Sequence, residues 1–418
     1  MSKQKVTHSK DFDKRPLLFR VTNAIWKATY PIGTRVPLDK DDLIRAARKK
    51  TGLTDLGKDF WDEPLERLLI AVNEEARLHP VGRFITRQRF ISLLSIRLRA
   101  NNYFSRFPQI LDQPLYPAWI IIGLQRTGTT KLHRTLATDP AHRVIPSWEV
   151  INPIPLTFGK DDFKKRVAVA RTAVRALKLM SPGFFAIHPI EINQPEEDIL
   201  LLDVSFISTT PEAMMYVPSY ASWLEQTDQV PAYDYAVKLL KFLQWQRPAT
   251  RWVLKSPHHL EFLGLIEKTF EAFHFLWPHR NIYESVPSFL SMVTYNHMVF
   301  SDDVDKQKVA EHWVRKTGYM LDRALDFREK SGNESKFTDI FYKDLVNDPL
   351  PELSRIYKHN GGLTPELISR FVAYDNEYPR SKYGSHVYSL ADFDLTDADI
   401  DKYSERYKEF FARLYGNK

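Results

Sequence analysis

The chain has 418 residues, 43% hydrophobic and 27% charged, so it can bury one large core or two modest ones. Lys and Arg number 59 and Asp and Glu 52, and the formal net charge of +7 favours an anionic ligand but is too diffuse to indicate nucleic acid. There is no cysteine, which excludes disulfides, thiolate metal ligands and a cysteine nucleophile.

The N-terminus carries no apolar core of the kind that a secretory signal needs. The longest uncharged apolar runs, such as residues 118–124, fall far short of the ~20 residues that a membrane-spanning helix requires. We therefore predict a soluble, cytoplasmic protein without an integral membrane segment.

The first third of the chain divides into a polar arm and a helical region. Residues 1 to about 20 are polar and lack helical periodicity, and we assign residues 1–35 to an arm. From Asp39 to about Leu111 apolar residues recur at helical spacing, as in the set Leu65, Leu68, Leu69 and Val72. This pattern predicts a helical layer over residues 36–112 that packs on a larger domain.

The remaining residues, 113–418, alternate between strand and helix patterns. Apolar, β-branched or aromatic runs at 118–123, 251–254 and 273–277 are typical of buried parallel strands, and each precedes a turn or a helical pattern. A further strand is indicated near 337–345. The sequence therefore predicts an α/β domain whose central, mostly parallel sheet is flanked by helices.

The first chemical motif is the loop Gly123-Leu-Gln-Arg-Thr-Gly-Thr-Thr130, which lies between a predicted strand and a predicted helix. In this layout successive backbone N–H groups and the helix N-terminus form an anion site, as in a P-loop. The usual P-loop lysine, which reaches the β- and γ-phosphates, is replaced by Thr129. Arg126 and the neighbouring hydroxyls suit one phosphate carrying a compact group better than they suit a triphosphate.

The second motif follows the strand at 273–277. Arg280 stands at the carboxyl end of that strand, and Ser288 lies eight positions further along a predicted helix. An arginine and a serine at this spacing can reach the same anion beside the first loop.

Together the two motifs resemble those of the sulfotransferase superfamily that uses 3′-phosphoadenosine-5′-phosphosulfate (PAPS). The loop resembles the family's 5′-phosphosulfate loop, and the Arg280/Ser288 pair resembles its 3′-phosphate signature. Lys255-Ser-Pro-His-His-Leu260 is similar to the Lys-Ser-Pro-x-His-Leu element of a broad bacterial-type branch. The resemblance extends over nearly the whole chain beyond residue 35 and implies a P-loop-like α/β fold.

The resemblance also implies a role for each matching residue. Arg126 corresponds to the cation that stabilises the bridging oxygen, and Lys255 to the lysine that contacts the sulfonate. Tyr342 matches a tyrosine near the adenine, whereas Lys131 stands where cytosolic relatives have an adenine-stacking tryptophan. The remaining donor contacts implied are Thr127, Gly128, Thr129 and Thr130 for the 5′-phosphate and Arg280 and Ser288 for the 3′-phosphate.

A late basic loop in the family folds over the nucleotide. The matching stretch here is a C-terminal lid at about 375–395, in which Arg380 or Lys382 is a candidate second contact to the 3′-phosphate. The motif set requires no metal ion, because arginine, lysine and backbone N–H groups can neutralise one phosphate and one sulfonate.

The acceptor hydroxyl needs a general base, and the sequence offers two candidates. Glu149 follows the first α/β unit, where similar enzymes place a catalytic glutamate, and a desolvated carboxylate can serve as a base. His259, just beyond Lys255, lies where cytosolic relatives keep a catalytic histidine; His258 is a third possibility. Glu197, in Pro195-Glu-Glu-Asp198, belongs to a predicted helix start or to the acceptor entrance.

We therefore predict a PAPS-dependent enzyme that transfers a sulfuryl group to the hydroxyl of a small-molecule or lipid-like acceptor. Aromatic-rich segments such as Tyr220–Trp223 suggest an apolar acceptor. The alternatives are a P-loop kinase or NTPase and a nucleotide-binding module without catalysis. We predict no nucleic-acid partner, and the sequence leaves the oligomeric state and the acceptor's identity open.

Overall fold

The computed structural model describes residues 6–8, 17–29, 36–160, 162–180, 190–332, 334–358, 360–378 and 385–416. The strands within these residues are β1 (Val6–His8), β2 (Ala118–Ile121), β3 (His142–Arg143), β4 (Arg251–Lys255), β5 (Phe273–His279), β6 (Phe337–Phe341) and β7 (Ser385–Val387).

Helices make up most of the described chain. They are α1 (Leu17–Thr29), α2 (Lys40–Thr51), α3 (Asp62–Glu74), α4 (Pro80–Arg106), α5 (Thr129–Leu136), α6 (Ser147–Ile151), α7 (Phe163–Met180), α8 (Ile199–Leu202), α9 (Thr210–Met214), α10 (Pro218–Gln226), α11 (Val230–Gln246), α12 (Leu263–Thr269), α13 (Ile282–Phe300), α14 (Lys306–Ser331), α15 (Tyr342–Asn347), α16 (Pro349–Tyr357), α17 (Pro365–Glu377) and α18 (Asp397–Gly416). Short 3₁₀ turns include Pro257–Glu261, directly after β4.

The central sheet is parallel throughout, with the strand order β3-β4-β2-β5-β6. Strand β2 lies in the middle, and its Ile121 is in register with Lys255 of β4 and Leu276 of β5. Strands β1 and β7 form a separate parallel pair. The predicted α/β fold with a parallel sheet flanked by helices is confirmed.

Alternate residues of β2 face two different hydrophobic cores. Trp119 and Ile121 join the smaller core with residues of α5, α16 and α17. Ala118 and Ile120 join the larger core, which also holds the buried faces of α2, α3, α4, α11 and α14. Because both faces are covered, β2 is apolar along its whole length, which is the pattern that predicted it.

The N-terminal region differs from the sequence prediction in one respect. Residues 17–29, which we had assigned to a polar arm without helical periodicity, form helix α1. Buried Asn23 accepts a hydrogen bond from the Val81 backbone N–H (3.2 Å), and Trp26 meets Phe84 edge-to-face. The apolar residues Leu17, Val21 and Ile25 do recur at helical spacing, and the sequence prediction overlooked this pattern. The predicted helical layer begins at Lys40, where Asp39 caps α2.

Two other boundaries bear on the site. The strand predicted at 337–345 ends at Phe341, and Tyr342 begins a helix instead. After the acidic segment at 195–198 a helix starts at Ile199, as predicted.

Gly318 marks the closest approach of α14 to α18. A Cβ atom at this position would lie 2.1 Å from the Tyr403 carbonyl oxygen. We expect Gly318→Ala to lower the free energy of unfolding by about 1–3 kcal/mol, because the backbone of α18 would have to shift. Urea denaturation measures the change.

Gly264→Ala is the matched control. Its Cβ would make only ordinary contacts, 3.8 Å from the Phe327 ring, and the added methyl raises helix propensity. We expect the stability to be unchanged or to rise by up to about 1 kcal/mol. Equal effects of the two substitutions would contradict the close packing of α14 on α18.

Candidate active site

The loop between β2 and α5 has a backbone conformation that only a few residue types adopt without strain. Gly123 (φ 144°), Arg126 (φ 69°) and Gly128 (φ 97°) all have positive φ. A Cβ on Gly123 would lie 3.0 Å from the Pro278 carbonyl oxygen, and one on Gly128 would lie 3.1 Å from the Tyr342 ring. Pro278 and Tyr342 therefore pack closely against the two glycines, and the loop leads directly into the N-terminus of α5. This is the layout in which a P-loop binds an anion.

The three threonines of the loop differ in exposure. Thr127 and Thr129 are buried, and Thr130 is exposed. The Thr127 hydroxyl donates to the Leu124 carbonyl oxygen (2.7 Å), so it braces the loop.

Arg126, Arg280, Ser288 and Tyr342 come together although they are far apart in the sequence. Arg126 Nε donates to Ser288 Oγ (3.1 Å), and Arg280 Nη1 donates to the Arg126 carbonyl oxygen (3.0 Å). The Arg280 guanidinium also lies over the Tyr342 ring, 4.4 Å from its centroid, and pairs with Glu284. Burial, with the nearby charge of Arg280, lowers the pKa of Arg126 below its ordinary value.

Lys255 ends β4 at the same edge of the sheet as the loop. Its side chain is buried, and Nζ donates to Glu197 Oε1 at 2.6 Å. Its backbone N–H donates to Asp198 Oδ1 at 2.8 Å. The acidic segment that precedes α8 therefore packs directly on the lysine.

Both ring nitrogens of His259 have partners. Nε2 lies 2.7 Å from Asp198 Oδ2, and Nδ1 lies 2.8 Å from the Tyr233 hydroxyl. Burial raises the pKa of Tyr233 well above its ordinary value, so its hydroxyl stays protonated. Burial alone would raise the pKa of Asp198, but the charge and hydrogen bond of His259 hold it below its ordinary value. His259 is thus the middle member of a buried chain of hydrogen bonds that runs from Tyr233 to Asp198.

His258 is as buried as His259. It is 2% exposed, and Nδ1 lies 3.4 Å from Thr209 Oγ1. Burial lowers its pKa well below the ordinary value, so it stays neutral.

Glu149 is fully buried, on α6. Its Oε2 pairs with Arg143 (2.8 Å) and Arg247 (2.6 Å), and the Arg143 guanidinium lies over the Trp252 ring. Its other oxygen, Oε1, has no hydrogen-bond partner among the described residues. The contacts of Glu149 within the described chain join α6 to β3 and the end of α11.

Sequence reasoning did not find Asp198 and Tyr233 as partners of His259. No sequence pattern connects Asp198 to Lys255 and His259, which lie 57 and 61 residues away. Sequence reasoning also assigned no role to Tyr388, which is near enough to Arg126 to influence the pKa of that arginine.

The region of the predicted lid is only partly described. Arg380 and Lys382 lie outside the described residues. Lys131, which stands at the family's tryptophan position, pairs with Asp375 of α17 and so ties α5 to that helix.

The described residues contain neither a metal-binding cluster nor a membrane-spanning helix. No group of three or more His, Asp or Glu side chains there is arranged to hold a metal ion. Among the helices of the described ranges, none has the length and apolar character needed to cross a membrane.

The candidate site thus joins a glycine loop at a helix N-terminus to three cations at one sheet edge, two of which pair with carboxylates. A model of the sulfotransferase family matches residues 117–364, which include the loop, Lys255, Arg280 and Tyr342. The chain therefore belongs to the sulfotransferase family, whose members transfer sulfuryl groups, and the predicted family is confirmed.

The chain is similar to several mycobacterial proteins. It is 24% identical over 311 residues to the omega-hydroxy-beta-dihydromenaquinone-9 sulfotransferase Stf3 of Mycobacterium bovis, covering 71% of this chain and 76% of that protein. The solved structure of sulfotransferase STF9 from Mycobacterium avium matches with a TM-score of 0.80 and 25% identity, over 90% of this chain and 97% of that one. Sulfotransferase STF1 from Mycobacterium tuberculosis matches with a TM-score of 0.74 and 28% identity, over 88% and 98%.

The buried cluster around Glu149 yields a stability prediction. Glu149→Gln removes the only formal negative charge that Arg143, itself almost wholly buried, pairs with among the described residues. We expect the free energy of unfolding to fall by about 3–5 kcal/mol, because a buried guanidinium loses its counter-charge. Urea denaturation followed by circular dichroism measures this loss.

Glu63→Gln is the control. Its pair with Arg67 is about half exposed on both sides, so we expect a change below about 1 kcal/mol. A Glu149→Gln protein as stable as the parent would contradict a structural role for this ion pair.

Proposed function

We propose that the protein transfers a sulfuryl group from PAPS to the hydroxyl of a lipid-like acceptor. One observation carries the proposal: hydrogen bonds join Arg280 and Ser288 to Arg126 of the glycine loop, at the sheet edge where Lys255 ends β4. These residues correspond one by one to the donor-binding residues that the sequence motifs imply.

The loop chemistry supports a phosphosulfate over a triphosphate. Thr129 occupies the lysine position of a nucleoside-triphosphate P-loop, so the group that would reach β- and γ-phosphates is missing from the motif. In the proposed complex the loop and the start of α5 hold the 5′-phosphate, and Arg280 and Ser288 hold the 3′-phosphate. Tyr342, under the Arg280 guanidinium, borders the nucleotide.

The acceptor proposal rests on the relative Stf3, whose name specifies a hydroxylated menaquinone. The aromatic segments considered above do not add to it, because Tyr220 and Met215 are core residues, 1% and 2% exposed. A hydroxyl on a lipid-like molecule is therefore the acceptor class that we propose.

Sequence reasoning left Glu149 and His259 as candidate bases, and their contacts favour a third residue, Glu197. Glu149 is paired with two arginines away from solvent, and both nitrogens of His259 are engaged. The side chain of Glu197 is 25% exposed, and within the described residues only its Oε1 is paired, with Lys255. We assign the base to Glu197, whose Oε2 can accept the proton of a hydroxyl.

The proposed reaction uses these positions in a single displacement. The acceptor oxygen attacks sulfur as Glu197 takes its proton, and the bond between sulfur and the 5′-phosphate oxygen breaks in line. Lys255 and Arg126 stabilise the negative charge that develops on the sulfonate and the leaving oxygen. Before the donor binds, Lys255 is paired with Glu197, so donor binding competes for the same ammonium group.

The donor proposal predicts stabilisation by the product nucleotide. We expect 3′-phosphoadenosine-5′-phosphate without metal to raise the melting temperature by about 3 °C at a hundredfold excess over its Kd, because it binds only the folded state. Differential scanning fluorimetry measures the shift. Stabilisation by ATP with Mg²⁺ and none by this nucleotide would instead support the kinase or NTPase alternative.

Arg280→Ala tests the 3′-phosphate assignment in the same assay. Since a charge-assisted hydrogen bond contributes about 1.5–3 kcal/mol, we expect the Kd of the nucleotide to rise at least tenfold. Adenosine 5′-phosphosulfate, which lacks the 3′-phosphate, is the control ligand, and its Kd should change much less. Equal losses for both ligands would refute the assignment.

The base assignment predicts the kinetics of Glu197→Gln. We expect kcat to fall by about 10²–10⁴-fold with nucleotide affinity retained or increased, because glutamine cannot take a proton and competes less strongly for Lys255. A labelled-PAPS transfer assay over alcohols, phenols, sterols and quinols measures kcat and identifies the acceptor.

Glu196→Gln, which makes the same charge change one residue away, is the matched control and should retain activity. The pH dependence of kcat separates the candidates. If Glu197→Gln keeps its rate while His259→Asn or Glu149→Gln loses it at full stability, the base is that residue. If the nucleotide binds but no transfer to any acceptor is measured, the module without catalysis is favoured.

A further inference from the structure

Helix α7 has an unusual charge composition for a helix of this length. Its 18 residues, Phe163–Met180, include six lysines and arginines and no acidic residue. The chain as a whole carries a formal net charge of only +7. A large part of the positive excess is therefore concentrated on one helix.

The packing of α7 determines which side faces solvent. Arg166 and Ala170 are buried, with Arg166 paired to Asp162 (3.0 Å) and stacked on the Trp148 ring. Phe163 packs edge-to-face on the same ring. These contacts fix the helix against α6 and leave most of its circumference exposed.

Four of the exposed cations form a continuous stripe. Lys164, Arg171, Arg175 and Lys178 are separated by seven, four and three residues, which places them within an arc of about 60° and along about 21 Å of helix. No ion pair or hydrogen bond links any of the four side chains to another residue within the described chain. This basic stripe therefore presents four uncompensated charges to solvent.

Apolar and small residues adjoin the basic stripe on one side. Ala168, Thr172 and Leu179 follow it around the helix, and the exposed Lys165 lies beyond them. Leu179 is 65% exposed. Cations on both sides of a narrow strip that carries an exposed leucine form the pattern of a helix lying in a membrane interface.

We propose that the basic stripe of α7 docks the protein on an anionic lipid bilayer. Charge complementarity carries the proposal: the described residues give the stripe no acidic partner, and the surface of an anionic bilayer supplies many phosphates in one plane. A straight, aliphatic-flanked stripe fits a flat interface better than it fits nucleic acid, where stacking aromatic residues are typical.

The place of α7 in the fold connects docking to the candidate site. Trp148 of α6, on which α7 packs, also holds the segment that leads to Glu197, because its backbone N–H donates to the Ile192 carbonyl oxygen (3.1 Å). A docked α7 would bring this side of the protein to the membrane, where a lipid-like acceptor resides. This consequence rests on the proposed function, whereas the docking itself does not.

Vesicle sedimentation with the full chain tests the proposal. We expect binding to vesicles of phosphatidylcholine with 30% phosphatidylglycerol in 0.1 M NaCl, and little binding to pure phosphatidylcholine. Replacing Lys164, Arg171, Arg175 and Lys178 by glutamine should reduce the partition coefficient by on the order of 10²–10³-fold. Raising NaCl to 1 M should release the parent protein, since the Debye length falls to about 3 Å.

The matched control replaces four exposed cations elsewhere, Arg48, Lys49, Lys268 and Lys330, by glutamine. It makes the same change in net charge and should retain most of the vesicle binding. Circular dichroism and the nucleotide-induced melting shift verify that both variants are folded and keep the donor site.

Three results would overturn the proposal. They are an absence of vesicle binding, equal losses in the two variants, and stripe-dependent binding that is tighter to a DNA or RNA oligomer than to anionic vesicles. Failure of the proposed function can be told apart from failure of this proposal. In that case the nucleotide would not raise the melting temperature, while vesicle binding would be intact.

Discussion

The parallel pairing of β2 with β4 and β5 is the constraint on which the site depends. Because all three strands run the same way, their carboxyl ends meet at one edge of the sheet, where ligands bind in open α/β folds. The glycine loop follows β2, Lys255 ends β4, and Arg280 follows β5. Burial of β2 between two cores holds this register rigidly, and so the loop and two cations are positioned before any ligand arrives.

Bringing cations together in a protein of low dielectric has an electrostatic cost, and carboxylates offset it. Glu197 pairs with Lys255, and Glu284 pairs with Arg280. Arg126, whose pKa is lowered by burial and by Arg280, accordingly has much to gain from an anion. A phosphosulfate entering such a site exchanges these carboxylates for its own charges, which is consistent with the family to which the chain belongs.

The cations of α7 contrast with those of the site. Arg166, the buried member, has Asp162 as a partner, whereas the four residues of the basic stripe have no acidic partner in the described chain. Buried charges require compensation, but solvated ones do not, so the stripe persists at little cost to stability. Its charges remain available for an external anionic surface.

The sequence by itself determined the fold class and the family, and it supplied the motifs on which the donor-site proposal rests. These depend on local patterns: the apolar run of β2, the glycine spacing of the loop, and the interval between Arg280 and Ser288. The prediction missed α1, although Leu17, Val21 and Ile25 have helical spacing. It also missed the end of β6 at Phe341, because a short apolar run does not reveal where a helix begins. Only the tertiary structure decided the environment of each candidate base. It pairs Glu149 with Arg143 and Arg247, links His259 to Asp198 and Tyr233, and sets Glu197 on Lys255. Those contacts join residues far apart in the chain, and no local pattern encodes them.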